Sequence, residues 1–148
     1  MREITTGIGL LLFSNGHILA LRELRNKPQY HKYAGMLSFP IETFDGNKDS
    51  NLTDTLVRLS REELGISNAD EMRILGIIPT VFNPIPERRD IHIRYSLGAF
   101  LGDPHRIFVP EDKDVEIVGW MKPEKLHASH PIRIEVKPIL EDFFSRKK

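Results

Sequence analysis

The stretch from Leu52 to Ile66, LTDTLVRLSREELGI, constrains this chain more than any other. Leu52, Leu56 and Leu59 fall at i, i+4 and i+7, a single apolar stripe at helical period. Asn51 or Ser50 stands where a side-chain oxygen can cap the first turn. Gly65 is a strong stop, because glycine enters the left-handed cap conformation without a steric cost. The helix so defined ends on two adjacent acids, Glu62 and Glu63. The helix dipole disfavours carboxylates in the last turn, by ~0.3–1 kcal/mol each. A bound cation would account for their presence. Glu63 lies four residues beyond Leu59, at the edge of the buried stripe, while Arg61 points away. Glu62 lies four beyond Arg58, a compatible ion pair.

The rest of the composition narrows the classes around that helix. The 148 residues suit a single domain, 1–148, with a sizeable core. Lys plus Arg and Asp plus Glu both number 21, so no global field favours nucleic acid or an anionic membrane. With no cysteine, disulfides and thiolate zinc sites are excluded. The early apolar run Gly7–Phe13 is far short of the ~20 residues of a spanning helix, and no cleavage pattern follows it. These features predict a cytoplasmic protein; a homodimer is compatible with them.

Along the chain, Ile4–Phe13 and His17–Arg22 read as strands joined at Asn15-Gly16, the strongest short hairpin signal. Residues 23–36 read as a loop, of a length that is often functional. Leu37–Pro40 is a short apolar piece, and turn formers fill Asp45–Asn51. After the helix, Arg73–Phe82 is a strand whose Pro79 suits a sheet edge or a bulge. Ile91–Leu101 and Val115–Met121 are further strands. Pro123–Leu126 starts a helical turn, and Pro138 is predicted to open a last helix at its first position. Ile132–Val136 alternates without a clear assignment. This order predicts an α/β fold with a mixed or antiparallel sheet flanked by helices, not a doubly wound parallel one. Neither common nucleotide-binding glycine loop is present.

The run Arg58-Leu59-Ser60-Arg61-Glu62-Glu63-Leu64-Gly65-Ile66, preceded by Ser38-Phe39-Pro40, resembles the Nudix box, Gly-x5-Glu-x7-Arg-Glu-U-x-Glu-Glu-x-Gly-U with U aliphatic. Arg58, Glu62, Glu63, Gly65 and Ile66 match. The opening hairpin and the acid-rich Glu111–Trp120 segment extend the likeness over most of the chain. Several positions depart from it. Leu59 stands for a glutamate, Ser60 for the aliphatic residue, and Ile41-Glu42 for a Gly-Gly pair. Ser50, with Asp49 beside it, occupies the place of the glutamate eight before the arginine.

The resemblance implies a Nudix-like α/β/α sandwich with a mixed β-sheet. It further implies hydrolysis of a pyrophosphate bond in a nucleoside diphosphate linked to another group, with Mg²⁺ or Mn²⁺. Magnesium takes oxygen ligands and keeps several waters, so a few carboxylates plus substrate phosphates suffice. On that reading Glu62 and Glu63 hold the metal, with Glu42 as a further ligand, and Arg58 orients a glutamate by an ion pair. Asp114 or Glu42 completes the site, standing in for the acid missing at Leu59. Leu59 also completes the core stripe. Arg22, Arg25, His31, Arg88, Arg89 and Arg94 are the candidates for phosphate and base contacts, arginine because its fork binds two oxygens. The expected partner is a small nucleotide-derived substrate, with no membrane and no nucleic acid. The alternative is a Nudix-like module that binds a nucleotide or a protein without turning it over, favoured by the departures at Leu59 and Ile41-Glu42.

Overall fold

A computed structural model describes residues 4–147. Its strands are β1 (Thr5–Ser14), β2 (His17–Glu23), β3 (Leu37–Ser38), β4 (Ile41–Thr43), β5 (Met72–Phe82), β6 (Ile91–Phe100) and β7 (Val115–Met121). The helices are α1 (Leu52–Leu64), α2 (Pro123–His127) and α3 (Val136–Arg146), with single 3-10 turns at Pro28–Tyr30 and Ala69–Glu71. The sheet runs β3-β2-β1-β6-β5, with β4 also paired to β1 and β7 to β2. Only β1 and β6 pair in parallel; every other pairing is antiparallel, so the sheet is mixed as expected.

The β1–β2 hairpin forms because Asn15 and Gly16 both adopt positive φ, 52° and 76°, the geometry a two-residue turn requires. Along β1, side chains alternate between two faces, and each face has its own core. Ile8, Leu10 and Leu12 pack with Leu19, Leu21 and the α1 residues Leu56, Leu59 and Leu64. Leu11, on the other face, joins Ile18, Phe39 and Tyr95 against Leu126, Val136, Ile139, Leu140 and Phe143 of α2 and α3. Helices thus cover both faces, an α/β/α sandwich. Trp120 belongs to the first core, stacking near Phe100 and Phe108 and donating its indole N–H to the Pro104 carbonyl at 2.7 Å.

Pro79 sits in β5, the edge strand, within an irregular stretch of the β5–β6 register, where its missing donor costs no ladder bond. Two expectations shift. Strand β2 runs one residue further, so Glu23 belongs to the sheet and not to the loop. Helix α3 starts at Val136, two residues before Pro138; the first helical turn needs no N–H, so proline fits its third position as well as its first. No helix among the described residues is long and apolar enough to cross a membrane.

Candidate functional site

The site is assembled around the C-terminal turns of α1. The helix is set at its start by Asn51, whose side chain accepts from the Asp54 N–H at 2.9 Å while Asp54 accepts from the Ser50 N–H at 2.8 Å. It is stopped by Gly65, at φ 70°, whose N–H returns to the Arg61 carbonyl at 3.1 Å. A side chain at Gly65 would also collide with the backbone of Val109. Both ends being fixed, the last two turns present Arg58, Glu62 and Glu63 toward β4.

Arg58 is the organising residue. Its Nε and Nη2 donate to the two carboxylate oxygens of Asp49, at 3.1 and 2.8 Å, and Nη2 also donates to the Thr43 carbonyl at 2.8 Å. Its Nη1 stands 3.4 Å from Glu42 and 3.7 Å from Glu62. One guanidinium therefore ties the turn before α1, strand β4 and the helix end together. The two-pronged pairing with Arg58 holds the Asp49 carboxyl well below the usual carboxylate range, against the opposing effect of burial. Asp49 is locked further by the Thr55 hydroxyl at 3.0 Å. It supplies the carboxylate partner that Ser50, one residue on, cannot.

Glu63 is buried, and its Oε2 has no hydrogen-bond partner among the described residues; the same holds for Oε2 of Glu62. Burial drives the Glu63 carboxyl well above its ordinary pKa, helped by the Glu42 charge and opposed by Arg133 and Lys32. Leu59, by contrast, is wholly buried in the core between α1 and the sheet.

A cleft of about 500 Å³ opens at Glu42, lined among others by Tyr30, Lys32, Arg88, Arg133 and Glu135. Burial lowers the Lys32 ammonium pKa, with Arg133 acting in the same direction. The structure thus gathers Arg58, Glu42 and Glu62, with Glu63 within the field of Glu42. The other sequence candidates lie apart from that group. Asp114 is held by Arg25 at 2.8 Å and Lys27 at 2.7 Å. Arg22 pairs with Glu116 across β2 and β7 at 2.7 Å. His31 pairs with Glu87 at 3.0 Å, and Arg94 donates to the Ile78 carbonyl at 3.4 Å. None of Arg22, Arg25, His31 and Arg94 lines the cleft.

Residues absent from the sequence reading fill the space instead. Glu23, Arg133 and Glu135 are buried and charged. The segment carrying the last two is pinned to β3, with Leu37 N–H donating to the Pro131 carbonyl at 2.9 Å and Arg133 N–H to the Leu37 carbonyl at 3.0 Å. The alternation in Ile132–Val136, unassigned from sequence, resolves with Ile134 facing out, Arg133 and Glu135 facing in, and Val136 buried at the start of α3.

Among the described residues, no three His, Asp or Glu side chains come together closely enough to make a ready cation site. The unpartnered oxygens of Glu62 and Glu63 nevertheless fit a hard cation that draws the rest of its shell from water and phosphate.

A mixed sheet clasped by helices on both faces is a recurrent fold. The solution structure of the E. coli ORF135 protein shares it at a TM-score of 0.69 and 21% identity, over 98% of this chain and 91% of that one. The MutT protein from Methanosarcina mazei Go1 matches at 0.67 and 18% identity, over 99% and 97% of the two chains. The NUDIX domain of Shewanella oneidensis NrtR, solved in complex with ADP ribose, matches at 0.62 and 15% identity, over 100% and 90%. No curated protein matches the sequence. The NUDIX domain model matches residues 3–143, and the chain belongs to that family.

Proposed function

We propose that this chain hydrolyses a pyrophosphate bond in a nucleoside diphosphate linked to a further group, with Mg²⁺ or Mn²⁺, as a cytoplasmic enzyme. The observation that carries the reading is the Arg58 hub, which holds Glu42 and Glu62 beside a helix end whose Glu62 and Glu63 each keep an unanswered oxygen. Glu62, Glu63 and Glu42 are the residues that would hold the ion. When bound, a divalent ion neutralises phosphate charge and acidifies a water. Arg58 fixes the glutamates it touches. Lys32 and Arg88 bring positive charge to the cleft for phosphate oxygens. Asp114 acts through its ion pairs, securing Arg25 and Lys27 and with them the loop that leads to Lys32. The ADP ribose bound by the Shewanella NUDIX domain is in keeping with a nucleotide-derived ligand.

The burial of Leu59 favours a second reading, a nucleotide-binding module with little or no turnover, because it removes one acid from the helix face that carries Glu63. A panel of nucleoside triphosphates, dinucleotides and nucleotide sugars, assayed for release of the nucleoside monophosphate with each metal, decides between them. The expected result is metal-dependent release from at least one class, abolished by Glu62→Gln with Glu63→Gln. Release that survives the double change rejects the assignment of these residues. Saturable binding of a panel member without release makes the chain a module.

A further inference from the structure

The inner wall of the cleft presents charges that phosphate chemistry does not use. Arg133 is 4% exposed and Glu135 6%. Arg133 Nη2 donates to Glu135 Oε2 at 2.8 Å. Its Nη1 stands 4.0 Å from Glu23 Oε2, too far for a hydrogen bond. Nε and Nη1 of Arg133 therefore donate to nothing, and Oε1 of Glu135 accepts from nothing, among the described residues. Buried polar groups are nearly always satisfied, so a pair left unsatisfied just beneath the wall of a cleft, its free atoms enclosed until a ligand draws them out, calls for a partner.

The charge balance says what kind. Arg133 is already countered by Glu135, with Glu23 beside it and Glu63 within its field. A phosphate brought to Arg133 would meet three carboxylates. A neutral group would not, provided it offers an acceptor to the arginine and a donor to the free glutamate oxygen. A nucleobase edge carries donors and acceptors side by side in one plane. Arginine donates only, and an ionised glutamate accepts only, so each fixes one half of the pattern. The pair is also held firmly: Arg133 is bonded through its backbone to β3, and Glu135 immediately precedes α3. Tyr30 lines the same cleft and offers an aromatic face for stacking.

We propose that Arg133 and Glu135 form the specificity-determining pair of the cleft, reading the hydrogen-bonding edge of the nucleobase in the substrate. The proposal rests on the nucleotide-derived substrate argued above, but not on turnover.

The test is binding, by calorimetry in the presence of Mg²⁺. The four common nucleoside 5′-monophosphates are compared with ribose 5-phosphate, which lacks the base, and with inorganic pyrophosphate. At least one nucleotide is expected to bind about tenfold or more tighter than ribose 5-phosphate. Glu135→Gln, and separately Arg133→Lys, are expected to cut or re-rank the nucleotide affinities by about tenfold, while pyrophosphate stays within about twofold. Thermal melting confirms that each variant is folded, and the wild-type comparison stands without either. Ribose 5-phosphate binding as tightly as every nucleotide overturns the proposal, as do nucleotide affinities and ranking both unchanged in the two variants. Base discrimination without any hydrolysis in the panel above would uphold the pair and reject the enzyme; hydrolysis blind to the base would do the reverse.

Discussion

Arg58 and Asp49 meet with two hydrogen bonds in a place from which water is nearly excluded; the Asp49 side chain is 1% exposed. Removing one partner of such a pair strands the other charge. Asp49→Ala is therefore expected to cost roughly 3–5 kcal/mol of stability, read as a lower midpoint in urea. The pH dependence has a definite sign. A carboxyl whose folded pKa is depressed stabilises the fold above its unfolded value, about 3.9, and loses that contribution as pH falls through the folded value. Wild-type stability should decline below about pH 4, and Asp49→Asn should flatten that decline while lowering stability at neutral pH. An acid limb identical in the two proteins would show that Asp49 is not the titrating group.

At the scale of the element, α1 was readable almost to the residue. Its leucine stripe, its capping asparagine and its terminal glycine are local signals, and each acts within one turn. The same stripe explains why Leu59 cannot be repaired into an acid. The side chain is wholly enclosed by the core beneath the helix, so Leu59→Glu places an unpaired charge there. A loss of roughly 3–5 kcal/mol is expected by analogy with stranded buried charges, with no gain in hydrolysis. A faster, normally folded Leu59→Glu protein would instead mean that the helix can turn this position toward the cleft. The segment before α3 was not readable in this way. Alternation names two faces but not which is buried; here tertiary contacts put Arg133 and Glu135 inside, and periodicity carries no information on that choice. Glu23 was missed for a related reason: an acid at the end of a strand ordinarily marks its exit into solvent.

For the whole molecule, the five long strands followed from composition and turn chemistry, whereas the short β3 and β4 and the strand order did not. Nothing local links β1 to β6, yet they share the longest register in the sheet, from Thr5 with Ile91 to Phe13 with Ala99. The site depends on that long-range arrangement, because the cleft is bounded by β1, β4, β6, the loops before β3 and β6, and the segment that leads into α3. Metal binding should accordingly be felt by the entire fold. Saturation at about 100 times the dissociation constant adds about 2.7 kcal/mol to a native state that binds one ion. Millimolar Mg²⁺ is expected to raise Tm, EDTA to reverse the rise, and Glu62→Gln with Glu63→Gln to abolish it. A Tm indifferent to Mg²⁺ would remove the cation from this account.

The parallel β1–β6 pairing also sets the order in which the chain can become safe. Strands β1 to β4 and α1 all lie within the first 64 residues, and can associate early through short-range closures. The other edge of β1 waits for residues 91–99. Until β6 arrives, a long, strongly apolar strand offers an open row of backbone donors and acceptors to any neighbour. Contacts of that sequence separation form slowly. During synthesis and refolding, the vulnerable surface of this protein is thus the unfilled side of its own central strand.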